Sequence, residues 1–152
     1  MRNVYFPIFI LLIIVGCKQL DEKVTEVYHK NEFYSAIDNS DNITFRLNKN
    51  TENRGTRNDS TFFLKPEYVA ENVNNIKKFR NLFNGIKSTD YCCCPNSDVK
   101  IEFYNKNKVK DYFFLDYTSS KDSVIVFQKS YQFSKKITKK SWNEYLTKLK
   151  KN

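Results

Sequence analysis

Hydrophobic and polar residues are distributed unevenly along this chain of 152 residues. Residues 6–15 are apolar except for Pro7, whereas residues 48–60 are almost wholly polar and predict a surface loop. Elsewhere, apolar residues recur at two-residue spacings in some stretches and at three- to four-residue spacings in others. The first spacing predicts half-buried strands, and the second predicts amphipathic helices.

The carboxyl-terminal half shows the clearer pattern, with alternating segments joined by short polar turns. Strands in such close succession predict an antiparallel meander. The last segment predicts a helix that covers this meander, starting at Ser141 with Glu144 in a capping-box pattern. The predicted strands are residues 99–103, 109–117 and 124–133, with residues 91–94 as a fourth, and the turn residues include 105–108. The predicted apolar face of this helix consists of Trp142, Tyr145, Leu146 and Leu149.

The amino-terminal half predicts a strand between two helices. A short helix over residues 31–38 places Phe33, Tyr34 and Ile37 on one side, and residues 43–47 alternate as a strand. A longer helix is predicted from Pro66 to residue 83, with Gly85 just past its end, and residues 62–64 predict a short strand. The fold class is therefore α+β. Its predicted architecture is an antiparallel β-meander of three to four strands covered by a C-terminal helix, with a further helix in the N-terminal half.

The first twenty residues predict export. Arg2 is the only charged residue before Lys18, and an apolar run follows it. The run has about ten residues, which is too short for a membrane span of about 20. An apolar run between a positive charge and a small residue is typical of a secretory signal. The tetrapeptide Ile14-Val15-Gly16-Cys17 resembles the lipobox of bacterial lipoprotein precursors.

This resemblance implies that the chain is cleaved after Gly16 and acylated at Cys17. It divides the chain into a signal peptide (1–16), a lipidated cysteine with its tether (17–30) and a single α+β domain (31–152). The acyl chains would hold the protein at the cell membrane or the outer membrane, outside the cytoplasm. Each buried methylene contributes about 0.8 kcal/mol, so two or three chains anchor a protein stably.

The composition gives the chain a strongly positive charge. It has 26 Lys and Arg against 17 Asp and Glu, a net charge of +9 that becomes +8 when Arg2 is removed with the signal. Such a charge favours acidic partners, among them anionic lipids, polyanionic glycans of the envelope and acidic proteins, whereas export argues against nucleic acid. The alternative is an ordinary solvated surface. The lysines are densest near the carboxyl end, at Lys135, Lys136, Lys139, Lys140, Lys148, Lys150 and Lys151.

Three consecutive cysteines, Cys92, Cys93 and Cys94, are the unusual feature of the mature domain. They admit four interpretations: buried small side chains of a strand, a disulfide, a metal site or a reactive thiol. A disulfide between neighbours has strained geometry. If Cys17 is lipidated, a disulfide partner must lie within the triplet or on another chain.

The other two interpretations lack supporting residues. Zinc sites use two-residue spacers and a second pair of ligands, and this sequence offers no second pair. A reactive thiol needs a nearby base, and the only histidine, His29, falls in the predicted tether. The triplet is therefore a candidate thiol or disulfide site, and no metal ligand is predicted.

The sequence contains none of the usual catalytic signatures. It has no Gly-rich phosphate loop, no HExxH and no GxSxG. Asp111, Asp116 and Asp122 lie in or beside the meander, where strand ends and turns account for them. We therefore predict no catalytic residue and no cofactor, and favour a non-enzymatic binding or inhibitory module of the cell envelope. The alternative is a thiol- or metal-dependent protein centred on Cys92–Cys94.

Replacing Cys17 by alanine is expected to release the protein from the membrane or leave it unprocessed, because the lipobox thiol is the acyl acceptor. Membrane fractionation and intact-protein mass measure both effects. A Cys93→Ala variant, which also loses one thiol, should stay anchored. Acylation and processing that persist in Cys17→Ala would contradict the lipobox.

Overall fold

The computed structural model describes residue 24 and residues 27–47, 68–89, 95–128, 130 and 133–151. The predicted signal peptide, the polar loop at 48–60 and the strands at 62–64 and 91–94 lie outside these residues. Within them, the chain has an α+β fold in which three helices lie on one face of an antiparallel sheet.

The sheet has seven strands among the described residues. In chain order they are β1 (Asn42–Leu47), β2 (Tyr68–Ala70), β3 (Val99–Asn105), β4 (Lys108–Asp116), β5 (Ser123–Phe127), β6 (Ser134–Thr138) and β7 (Lys150–Lys151). Their order across the sheet is β6-β5-β4-β3-β1-β2-β7, and all neighbours are antiparallel. The predicted meander corresponds to β3 to β6, and three further strands widen it.

The strand predicted over residues 124–133 ends early, and a second strand begins only after this range. β5 ends at Phe127, and the backbone N–H of Gln128 donates to the carbonyl of Phe133 at 3.0 Å. The chain then returns as β6, with Ser134 opposite Phe127. This reversal makes β6 the fourth strand of the meander and an edge of the sheet.

The first helix, α1, covers residues 27–38, and residue 24 is also helical. It contains the predicted helix over 31–38, with Phe33 and Ile37 buried and Tyr34 half-buried. It begins before residue 31, so residues 27–30, which the sequence predicts as part of the tether, belong to the helix. His29 Nδ1 lies 2.7 Å from Glu32 Oε2, a contact at the three-residue spacing that supports this first turn.

The second helix, α2 (Val73–Asn81), is shorter than the predicted helix over 66–83. Residues 68–70 form β2 instead, with Tyr68 opposite Phe45 of β1. The helix begins after Asn72, whose side-chain oxygen accepts a hydrogen bond from the N–H of Asn75 at 2.8 Å. The three residues of β2 are all buried when they pair in the sheet. The free energy gained by this burial exceeds the weak local preference for a helix that the spacing of apolar residues indicates.

The third helix, α3 (Lys139–Leu146), begins one turn before the predicted start. Its N-cap is Thr138, the last residue of β6, which accepts a hydrogen bond from the N–H of Ser141 at 3.1 Å. The predicted cap at Ser141 with Glu144 is therefore wrong. The predicted apolar face is confirmed for Trp142, Tyr145 and Leu146, which are buried in α3. Leu149 is also buried, but it lies past the end of the helix at Leu146.

Aromatic rings join the three helices to the sheet. Phe33 of α1 has no solvent exposure and stands at the centre of this cluster. Its ring centroid is 5.0 to 6.4 Å from five other phenylalanine rings, which belong to α2, the turn after α2, β3, β4 and the residue before β6. These rings are Phe79, Phe83, Phe103, Phe113 and Phe133. Farther along the sheet, Phe45 of β1 contacts Trp142 of α3 at 5.5 Å.

Phe33→Ala is expected to lower the free energy of unfolding by about 3–5 kcal/mol, because it opens a cavity where five aromatic rings meet. Denaturant titration followed by Trp142 fluorescence measures this change. Val73→Ala provides the control, since Val73 is 68% exposed and its replacement should change stability by less than about 0.5 kcal/mol. Equal losses in both variants would contradict the central position of Phe33.

Candidate functional site

The turn between β3 and β4 has a residue type that its backbone conformation does not favour. Lys106 and Asn107 have φ of 51° and 60°, the left-handed region required at both positions of a tight hairpin turn. This confirms the predicted turn at residues 105–108. Glycine and asparagine adopt this region readily, whereas other side chains lose about 1–2 kcal/mol. Lys106 therefore keeps a positive charge at the tip against the local preference of the backbone.

The tip is held in place by the segment that follows α1. The N–H of Lys106 donates to Asp41 Oδ2 at 2.7 Å, and Asn105 Nδ2 donates to the carbonyl of Asn39 at 2.5 Å. The N–H of Asp41 in turn donates to the carbonyl of Tyr104 at 3.0 Å. These contacts fix the backbone of the turn against the end of α1, from which the lysine side chains extend.

Three lysines and one valine extend from this turn into solvent. Lys106, Lys108 and Lys110 are exposed, and Val109 between them is 46% exposed. We call these four residues the basic hairpin. Like charges at this spacing produce a local positive potential that attracts anions and weakens as salt is added.

A cleft of about 430 Å³ lies between α1 and the base of the basic hairpin. We call it the hairpin cleft. Its walls carry carboxylates, amides, a hydroxyl and one lysine, so it presents both hydrogen-bond donors and acceptors. The lining residues are Glu32, Ser35, Ala36, Asn39, Asn105, Lys110 and Asp111.

Glu32 is held by several donors at the edge of this cleft. Its Oε2 accepts a hydrogen bond from Gln128 Nε2 at 2.9 Å and lies 2.7 Å from His29 Nδ1. Partial burial alone would raise the pKa of Glu32. The hydrogen bonds from His29, Gln128 and Tyr28 outweigh burial and hold the pKa below its usual value. Glu32 is thus an ionised side chain that joins α1 to the end of β5.

Asp111 is the carboxylate that the cleft perturbs in the opposite direction. Burial raises its pKa, the nearby charge of Glu32 raises it further, and a hydrogen bond from the N–H of Tyr112 at 2.7 Å opposes both. Carboxylates with opposite shifts are typical of acid–base catalysts. Here, however, Glu32 is committed to structural hydrogen bonds, so the pair fits recognition of a polar ligand better than proton transfer. Sequence reasoning assigned Asp111 an ordinary strand position.

Asp116 and Asp98 are structural. The buried Asp98 accepts hydrogen bonds from the N–H groups of Tyr117 and Thr118, both at 2.9 Å. The buried Asp116 accepts from the N–H groups of Asn96 at 2.8 Å and Thr118 at 3.0 Å. These bonds join the segment before β3 to the turn after β4 and satisfy both carboxylates.

Glu102 is buried on the sheet face opposite the helices. Its carboxylate accepts hydrogen bonds from Lys100 Nζ at 2.6 Å and Tyr104 Oη at 2.9 Å, and it pairs with Arg46 at 3.0 Å. Burial alone would raise the pKa of Glu102, but these donors and positive charges hold it below the usual value. The cluster connects β1 to β3 and leaves no acidic group exposed at this position.

One lysine of the carboxyl-terminal basic segment is not on the surface. Lys135 is 2% exposed on the inner face of β6. Its Nζ donates to the carbonyl of Ile86 at 2.5 Å, lies 3.5 Å from that of Phe83 and is 5.4 Å from the ring centre of Tyr34. A cation beside the carbonyls that follow a helix is stabilising. Lys135 therefore fixes the end of α2, whereas Lys136, Lys140 and Lys148 are exposed.

The remaining residues singled out from the sequence lie outside the described part of the chain. These are Gly16, Cys17 and the triplet Cys92, Cys93 and Cys94. His29, which was placed in the tether, is instead part of α1 and contacts Glu32. Within the described residues, no group of three or more histidine, cysteine or carboxylate side chains is placed to hold a metal ion.

No protein-family model, curated protein or solved structure matches this chain. None of the helices in the described ranges has both the length and the apolar content of a membrane span.

Asp111→Asn is expected to stabilise the domain at pH 7. A carboxyl group with a raised folded-state pKa destabilises the folded protein when ionised, and this loss disappears below its unfolded pKa of about 3.9. The gain from Asp111→Asn should therefore be complete at neutral pH and vanish as the pH falls towards that value. Denaturant titrations across this range measure it.

The exposed Asp122 provides the control for this experiment. Asp122→Asn should change stability by less than about 0.5 kcal/mol at pH 7. A stability of Asp111→Asn below that of the unmodified protein at pH 7 would show that the ionised group is favourable in the cleft.

Proposed function

We propose that this chain is a lipoprotein anchored through Cys17 and that its domain is a non-enzymatic binding module of the cell envelope. The basic hairpin and the hairpin cleft form its binding surface, and a polyanionic glycan is the partner that this surface fits best. The anchorage is supported by the signal-like segment and the lipobox-like tetrapeptide of the sequence.

The proposal rests on one observation: the fold buries part of the carboxylates and leaves most of the lysines exposed. Among the described residues, three of ten carboxylates are buried and two are half-buried, whereas eleven lysines are exposed. Asp98, Glu102 and Asp116 are the buried carboxylates, and Glu32 and Asp111 are the half-buried ones. The exposed lysines are Lys30, Lys77, Lys78, Lys87, Lys106, Lys108, Lys110, Lys121, Lys136, Lys140 and Lys148. The surface is thus more basic than the composition alone implies, which favours acidic partners.

The basic hairpin is the most specific part of this surface. Residues held in unfavourable backbone conformations are concentrated at functional sites, where the surrounding structure maintains them. Lys106 meets that description, because its left-handed conformation is held by Asp41 and by the contact between Asn105 and Asn39. Glycine or asparagine would be more stable in this conformation, and the lysine that occupies it instead supports a binding role.

The adjoining cleft favours a glycan over an acidic protein. A polyanionic glycan has hydroxyl groups beside its anionic groups. The anionic groups would contact the lysines, and the hydroxyls would donate to the carboxylate of Asp111 and the amide oxygens of Asn39 and Asn105. An acidic side chain in the cleft would instead face Glu32 and Asp111.

The thiol- or metal-dependent alternative centred on Cys92–Cys94 stays a prediction. Its test is a count of free thiols and bound metal in the purified protein, followed by replacement of all three cysteines by serine. A domain without metal whose stability and properties survive this replacement would eliminate that alternative.

Replacing Lys106, Lys108 and Lys110 together by glutamine is expected to weaken binding to a sulfated glycan such as heparin by about tenfold, or about 1.4 kcal/mol. The dependence of affinity on salt should also become flatter, because fewer counter-ions are released. Titration of the purified lipidated protein in detergent, at several salt concentrations, measures both changes. Polyglutamate in parallel titrations represents an acidic protein.

A triple variant of Lys77, Lys87 and Lys121 is the matched control, since it removes the same charge from other exposed positions. Equal loss of affinity in both triple variants would leave only a diffuse charge effect and contradict a defined site. Stronger binding of polyglutamate than of heparin would contradict a glycan partner and favour an acidic protein. Lys106→Gly should raise stability while lowering affinity, which separates binding from folding.

A further inference from the structure

The amino-terminal end of α1 exposes an apolar stripe. Five large hydrophobic residues are exposed among the described residues, and three of them lie within five positions of the chain. Val24 is 61% exposed, Val27 is 57% exposed and Tyr28 is 60% exposed. Their spacings of three and four residues place them on one face of a helix. We call these three residues the apolar stripe.

The apolar stripe is confined to the start of α1. The later exposed residues of this helix and its end are polar: Lys30, Asn31, Ser35, Asp38 and Asn39. The apolar side chains therefore lie at one end of the helix rather than along its length. Only the start of this helix face offers an apolar contact, so a bilayer that accepts the stripe and leaves Lys30 and Asp38 in water is inclined to the axis of α1.

The position of Cys17 indicates what covers the stripe. Cys17 precedes Val24 by seven residues. Even a fully extended segment of this length spans only about 25 Å, and a helical one spans about 10 Å. If Cys17 is acylated, the stripe is held within this distance of the bilayer, and tyrosine beside valine is a composition that suits the membrane–water boundary.

The basic hairpin lies at the other end of α1. Asn39, which follows the helix, accepts the hydrogen bond from Asn105 at the base of the turn, and Asp41 holds Lys106. The eleven residue steps from Val27 to Asp38 along α1 correspond to about 16 Å. A domain that rests on its apolar stripe therefore holds its basic hairpin away from the bilayer.

We propose that the apolar stripe docks on the bilayer that holds the acylated Cys17, and so orients the domain with its basic hairpin facing away from the lipid. This inference rests on the proposed anchorage. It also makes the partner of the hairpin a polyanion beyond the membrane surface, because anionic lipid headgroups would then be out of its reach.

The test uses the exposed valines as positions for a fluorescent probe. Val27→Trp, Val73→Trp and Val109→Trp place one tryptophan at the stripe, at the start of α2 and on the basic hairpin, while the native Trp142 is buried and common to all variants. Each lipidated protein is reconstituted in vesicles of phosphatidylcholine and phosphatidylglycerol, with bromine on the acyl chains of the phosphatidylcholine. We expect a blue shift and loss of most of the added emission for Val27→Trp alone.

Several results would overturn the orientation. Quenching of Val109→Trp without Val27→Trp would mean that the hairpin faces the lipid, and equal quenching of all three would mean that the domain has no preferred orientation. Absence of quenching in every variant would show that the stripe does not contact the bilayer. A Val27→Ala, Tyr28→Ala double variant should keep its acyl chains and lose the orientation, so that Val109→Trp in this background becomes accessible to the brominated lipid.

Mass spectrometry separates failure of this inference from failure of the anchorage. An unmodified Cys17 would refute the proposed lipoprotein. The same three tryptophan variants would then be mixed with vesicles without acylation. Selective quenching of Val27→Trp would still support docking of the stripe, whereas its absence would overturn docking as well.

Discussion

The packing of Phe33 against five other phenylalanine rings is the contact on which the arrangement of the domain depends. Its ring joins α1 to α2, to two central strands and to the residue before β6, over centroid distances of 5.0 to 6.4 Å. Edge-to-face contacts of this kind add to the large apolar area that each ring buries. Because α1 is held here, its far end supports the hairpin turn through Asn39 and Asp41, and its start exposes the apolar stripe. The two surfaces that we connect with function are thus placed by one aromatic cluster.

Charge is arranged by the same packing. Carboxylates that reach the interior find donors there, as Asp98 and Asp116 do with backbone N–H groups and Glu102 does with Lys100 and Tyr104. Lys135 is the opposite case, a buried cation stabilised by carbonyls that follow α2. A buried carboxylate needs donors, whereas a lysine can extend its ammonium group to water, so folding leaves the lysines outside. The result is a basic exterior, with one end of α1 apolar and the other end beside a turn that carries three lysines.

Some parts of the candidate site could be predicted from the sequence, and others could not. The polar turn at residues 105–108 was evident from its composition, and so was the overall positive charge. The opposite pKa shifts of Glu32 and Asp111 were not, because these residues are far apart in the chain and meet only when α1 packs against β4. The sequence predicts His29 as part of the tether because the residues around it are mostly polar. In the structure it lies in α1 and contacts Glu32 one turn later. The left-handed conformation of Lys106 could not be predicted either, because lysine does not favour this conformation, whereas glycine or asparagine at position 106 would have indicated it.

The sequence alone determined the α+β class, the buried side of α1, the strand β1 and the buried face of α3 from Trp142 to Leu146, because each depends on a regular spacing of hydrophobic residues. It also carried the signal-like segment and the lipobox-like tetrapeptide on which the proposed anchorage rests. Only the tertiary structure decided that residues 68–70 join the sheet instead of a helix, that Thr138 rather than Ser141 caps α3, and that the meander is part of a seven-stranded sheet. These choices depend on hydrogen-bond partners distant in the chain: β2 pairs with β1 across residues 48–67, and β7 reaches the opposite edge of the sheet from β6. Local spacing contains no information about such partners, so the long-range pairings appear only in the folded molecule.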